Sequence, residues 1–245
     1  MTYGKGLPAL TALTCVVLAG GFALVAFYAP TDVDQGLIQK IFYLHVPLAI
    51  VTLAGFVAGG IFAIGYLRTG DRRWDVRSYV AIHLSLVLGL AVLLTGAIWA
   101  RASWGVWWEW KEPTLVSFLI VFLLYATYQP LRFSIEDPER QGRYAAVFAI
   151  TAGAFVPLNF MAVRLAEPLI HPRVFATAGG GMDGPMWLTF LVCLTGVALL
   201  FVTLWKYEMT SKHAKQQLRA LRRALAGDEV REGRSAAPAT TGASP

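Results

Sequence analysis

Six uncharged stretches decide what this chain can fold into. The runs 7–28, 41–67, 78–100, 113–131, 144–163 and 184–205 contain no Asp, Glu, Lys or Arg. A helix needs about 20 apolar residues to cross the hydrocarbon core of a bilayer, and runs of about 10–14 already suffice for a buried helix in water. Six long runs in one chain exclude an ordinary soluble domain. Composition agrees: 56% of the residues are hydrophobic and 15% are charged, where soluble domains carry about 25%. The expected fold is an all-α integral membrane protein with six transmembrane helices. The first run reads as an uncleaved span, because it exceeds the roughly 7–15 apolar residues of a signal peptide core and Lys5 is its one clear preceding charge.

The basic residues then orient the spans, since Lys and Arg collect on the cytoplasmic side. One set of segments holds Lys5, then Arg68, Arg72, Arg73 and Arg77, then Arg132, Arg140 and Arg143, then eight more from Lys206 onward. The alternate set holds Lys40, Arg101, Lys111, Arg164 and Arg173. The split is 16 against 5. Both termini are therefore expected in the cytoplasm, with 29–40, 101–112 and 164–183 facing outward. The bias accounts for the net charge of +6 and calls for no nucleic-acid partner. Three segments are expected: a six-span domain over 1–208, a basic helical extension over 209–226 and a disordered tail over 227–245. That tail is rich in Ala, Pro, Thr, Ser and Gly. The inner segments 68–77 and 132–143 read as solvated turns. Cys15 and Cys193 fall within spans, form no C-x-x-C pair and read as small core residues.

The outer segments carry more than turns require. Of eight tryptophans, five lie between residues 99 and 110, and Trp104–Trp110 reads WGVWWEW. An interfacial aromatic belt places such residues singly at helix ends. This density offers a broad aromatic surface at the edge of the membrane, in the loop 101–114. It suits a large flat ligand, and a sugar or a quaternary ammonium could also use it.

Four histidines are present. His45, in FYLHVP (42–47), and His171, in IHPR, both fall on the tryptophan face. Pro47 is suited to the first turn of a helix, which puts His45 at a helix mouth. Pro172 biases His171 towards extended backbone. His83 lies on the inner side and reads as a helix–helix hydrogen bonder; His213 lies in the basic tail. Two outer histidines could hold a bare metal, but zinc asks for three or four ligands and no such spacing occurs. Two axial imidazoles beside a planar aromatic surface make better sense together as a haem site. His45 and His171 are then the iron ligands. Trp104, Trp107, Trp108 and Trp110 would form the platform, and Arg101, Lys111, Arg164 and Arg173 are the outer-face candidates for the carboxylates.

WGVWWEW resembles the tryptophan-rich WGxWWxWD signature of the haem-handling membrane proteins of cytochrome c maturation. With FYLHVP, six spans and an outer His171, the chain is similar to the CcmC branch over roughly residues 30–205. That resemblance implies b-type haem, held non-covalently by His45 and His171 at the periplasmic face of the bacterial inner membrane, with Trp104, Gly105, Trp107, Trp108 and Trp110 contacting the porphyrin and, of the four cations, Arg101 and Arg173 taken for its carboxylates. It implies transfer to the haem chaperone CcmE, with the ABC-type subunits CcmA and CcmB and the small subunit CcmD as partners. The polar end of the signature departs from the family pattern: the acid after the last tryptophan comes one position late, as Glu112, and no Arg-Leu-Thr follows.

The sequence contains no G-x-x-x-x-G-K-[ST] loop and no nucleophile–base grouping, so haem delivery rather than catalysis is expected. Two other readings are weaker. A cytochrome b-type electron carrier needs ligand pairs at both faces, and only the outer face has one. A small-solute transporter with an aromatic gate calls for charges or broken helices at mid-membrane, where these spans are nearly charge-free.

Overall fold

The computed structural model describes residues 4–165, 171 and 182–235. It consists of α1 (Leu7–Phe27), α2 (Phe42–Thr69), α3 (Arg72–Trp104), α4 (Pro113–Phe133), α5 (Pro138–Leu165) and α6 (Gly184–Ser235), with a 3₁₀ turn at Leu37–Ile41 leading into α2. Six helices are long and apolar enough to span a membrane, and no strand occurs among the described residues.

Most helices outrun their uncharged cores. α3 starts at Arg72, because Asp71 accepts the Arg73 N–H and caps its first turn. That N–H holds the Asp71 carboxyl below the usual carboxylate range. α6 continues to Ser235, past the boundary expected at Gly227. Its stretch Gly184–Ala226 has 43 residues. At about 1.5 Å per residue it is far longer than the ~30 Å hydrocarbon core, so the basic part stands clear of the lipid.

α2 is the hub. It packs along α3, α5 and α6, while α1 lies against α6. The largest core cluster joins α2, α3, α4 and α5: Phe56 stacks on Tyr125 at 3.9 Å, and Ala145, Ala149 and Ala152 let the helices close up. Gly59 permits the α2–α3 approach, since a Cβ there would sit 2.6 Å from Ile82 Cγ1. The α1–α6 seam carries a buried Thr14–Thr203 hydrogen bond of 2.8 Å. Cys193 is buried, as expected; Cys15 is exposed on the outside of α1 instead.

The inner segments differ from the solvated turns expected of them. Asp75 and Arg132 are both buried and form a bidentate pair with two contacts of 2.7 Å. Tyr128 accepts a further Arg132 hydrogen bond at 3.1 Å. Helix continuation places Asp75 in the first turn of α3 and Arg132 in the last turn of α4, facing each other, and unpaired buried charges there would be costly. His83 stacks on Tyr79 and meets Gln129 Nε2 at 2.8 Å through Nδ1, joining α3 to α4.

Candidate haem site

Above this inner joint the helices enclose a cavity of about 230 Å³. Its wall comes from α2 (His45, Val46, Ile50), α3 (Gly96, Trp99, Trp104), α4 (Leu115, Phe118) and α5 (Asn159, Phe160), together with Trp108 and His171. The two histidines that the sequence set apart thus line one cavity.

Each is held by identifiable contacts. His45 lies in the first turns of α2, and its Nδ1 is 2.9 Å from Thr95 Oγ1. The Thr95 hydroxyl has one proton and gives it to the Ala91 carbonyl at 2.7 Å. It therefore accepts from His45 Nδ1–H, which leaves the lone pair on Nε2. Fixing one ring nitrogen so that the other can bind metal is the usual arrangement around ligand histidines. Trp99 meets the His45 ring edge-on at 5.8 Å, and its indole N–H donates to Gln35 Oε1 at 2.8 Å. Gly96 makes room, because a Cβ there would come within 2.9 Å of His45 Cε1.

His171 lies in the segment between α5 and α6. Its backbone N–H donates to Glu112 Oε2 at 3.2 Å, and its ring meets Trp104 edge-on at 6.3 Å. Glu112 is fully buried and also accepts the Thr114 N–H, capping α4.

The tryptophan loop divides its side chains. Trp104 ends α3 and Trp108 follows in the loop; both line the cavity. Trp107 and Trp110 are 60% and 71% exposed and stand on the outer side of the loop. Gly105 terminates α3 at φ 79°, a left-handed conformation that favours glycine; its part in the site is the turn itself. Arg101 is exposed and donates to the Gly105 carbonyl, so it braces the same turn. Arg173 lies outside the described residues. Of the residues the sequence singled out, the structure brings His45, His171, Trp104 and Trp108 together at this cavity. Thr95, Gly96, Asn159 and Trp99, which the sequence did not single out for the site, stand beside His45 or line the same cavity. A polar Thr95 next to Gly96 within an apolar span was the available signal.

These residues suit haem. Two histidines and an apolar, aromatic wall meet in one place. Trp108 Nε1 is buried there without a hydrogen-bond partner among the described residues, a donor suited to an acceptor on a bound ligand. The Gly96 gap is the kind of space a ligating imidazole needs to sit upright.

A family profile described as heme exporter protein C (CcmC) matches residues 1–224. The chain belongs to the heme exporter protein C family. It is 32% identical to heme exporter protein C of Bradyrhizobium diazoefficiens over 216 residues, which covers 88% of this chain and 81% of the relative. The Rhodobacter capsulatus protein of that name is 28% identical over 222 residues, 90% of this chain and 91% of the relative. The Escherichia coli protein is 28% identical over 209 residues, 84% and 83% respectively. The profile match embraces the membrane-crossing part of all six helices, so the family assignment rests on the membrane domain as a whole and not on the tryptophan loop alone.

Proposed function

We propose that this chain binds haem at the outer face of the bacterial inner membrane and hands it to the periplasmic haem chaperone CcmE during cytochrome c maturation. The observation that carries this reading is the cavity shared by His45 and His171 beneath Trp104 and Trp108. The histidines would take the two axial positions of the iron, and the tryptophans would cover the porphyrin. Iron supplies the exchangeable axial bonds on which capture and release depend. Binding is non-covalent, because Cys15 and Cys193 stand far apart in sequence and neither belongs to a C-x-x-C-H attachment motif.

The propionates are assigned to the Arg101 side of the site and to Arg173. Trp107 and Trp110, exposed beside the cavity, offer the chaperone an aromatic landing surface next to the cargo. The chain acts in delivery rather than in catalysis; CcmA and CcmB supply ATP hydrolysis, and CcmD completes the assembly. The 16-to-5 split of basic residues supports cytoplasmic termini.

The test is transfer. The haem-loaded protein, purified in detergent, is mixed with the soluble domain of the chaperone and the two are separated. Haem moving to the chaperone supports the reading. Absence of both complex and transfer, with haem still bound to this chain, contradicts the hand-off.

A further inference from the structure

The acid that follows the tryptophan loop faces inward without lining the cavity. Glu112 is fully buried. Its Oε1 accepts the Thr114 N–H at 3.4 Å, and its Oε2 accepts the His171 backbone N–H at 3.2 Å. One carboxyl group therefore joins the start of α4 to the outer segment carrying the second histidine. The Glu112 N–H donates to the Glu109 carbonyl at 3.2 Å, and Pro113 fixes the first residue of α4. The backbone that presents this carboxyl is constrained on both sides. Trp104 packs against the other side of the anchored residue, on its ring.

We propose that Glu112 is a positioning residue for His171. It holds the backbone of that residue at the height where its ring enters the cavity opposite His45. The acid thus acts through the histidine, not on haem propionates or on the chaperone. This explains why an acid is useful one position later than the family signature places it: Glu112 sits at the N-cap of α4, where its side chain turns inward while the exposed Lys111 turns out. Two backbone N–H groups need two acceptor atoms, and a carboxyl group provides both.

The inference rests on the haem reading, and the experiment separates the two. Wild type, Glu112→Ser and His171→Ala are loaded with haem in detergent, and haem content and visible spectra are recorded with and without added imidazole. Ser is a good helix N-cap, so its hydroxyl can still accept the Thr114 N–H, but it is too short to reach the His171 N–H. The expected result is retention of haem by Glu112→Ser with loss of the six-coordinate low-spin spectrum, to the same extent as in His171→Ala. Imidazole then restores the low-spin spectrum in both variants. A role confined to capping α4 would leave the spectrum as in wild type. The proposal is overturned if Glu112→Ser keeps the wild-type spectrum while His171→Ala loses it, or if Glu112→Ser loses haem altogether while His171→Ala retains it. An unchanged spectrum in His171→Ala would instead remove the ligand assignment itself.

Discussion

At the residue scale the site depends on contacts one step behind the proposed ligands. Thr95 uses its only proton on the Ala91 carbonyl, and so it fixes which nitrogen of His45 can reach a metal. Thr95→Val removes that acceptor at almost constant volume. Outer-shell partners of this kind are worth about 10–100-fold in metal-ligand affinity. A loss of that size is expected in a haem titration, with Thr95→Ser near wild type. Gly96→Ala should act more strongly, because its Cβ would enter the space of the His45 ring at 2.9 Å from Cε1; the same titration checks it. His45, His171, Trp104 and Trp108 were legible in the sequence because residue type and charge topology alone place them on one face. Thr95 and Gly96 were not. Their meaning depends on the register of α3 against α2, which no local pattern encodes. Glu112 stood out only as a misplaced acid, and its burial follows from the entry angle of α4.

At the element scale α3 is the spine of the site. It carries Thr95, Gly96, Trp99 and Trp104 at its outer end, and Asp75 and His83 at its inner end. The buried Asp75–Arg132 pair ties that inner end to α4. Removing one partner of a buried pair leaves an uncompensated charge and costs about 3–5 kcal/mol. Arg132→Met is expected to destabilise the protein by that amount in detergent unfolding, whereas Asp75→Leu with Arg132→Met recovers most of it. The exposed Glu139–Arg143 pair is a control worth at most about 1 kcal/mol. All six spans were legible as uncharged runs. The depth of the inner charges was not, because Asp75 and Arg132 lie just outside those runs and read as loop residues. Helix propensity carries α3 and α4 through them, and complementary charge then makes burial tolerable.

At the scale of the whole molecule the architecture puts an apolar, histidine-bearing cavity at one end of a helical bundle and a long basic helix at the other. The proposed orientation, with cytoplasmic termini, rests on charge asymmetry, and it predicts that single cysteines at Trp107 and at Leu218, in a chain lacking Cys15 and Cys193, label differently. In intact cells an impermeant maleimide should modify the first and spare the second; the reverse pattern would invert the topology. The central claim is that His45 and His171 bind one haem from within one cavity. Visible spectra of the purified, haem-loaded wild type, His45→Ala and His171→Ala test it most directly. The account predicts a six-coordinate low-spin spectrum in the wild type that is lost in each variant and regained with imidazole. A wild-type spectrum in both variants would contradict it.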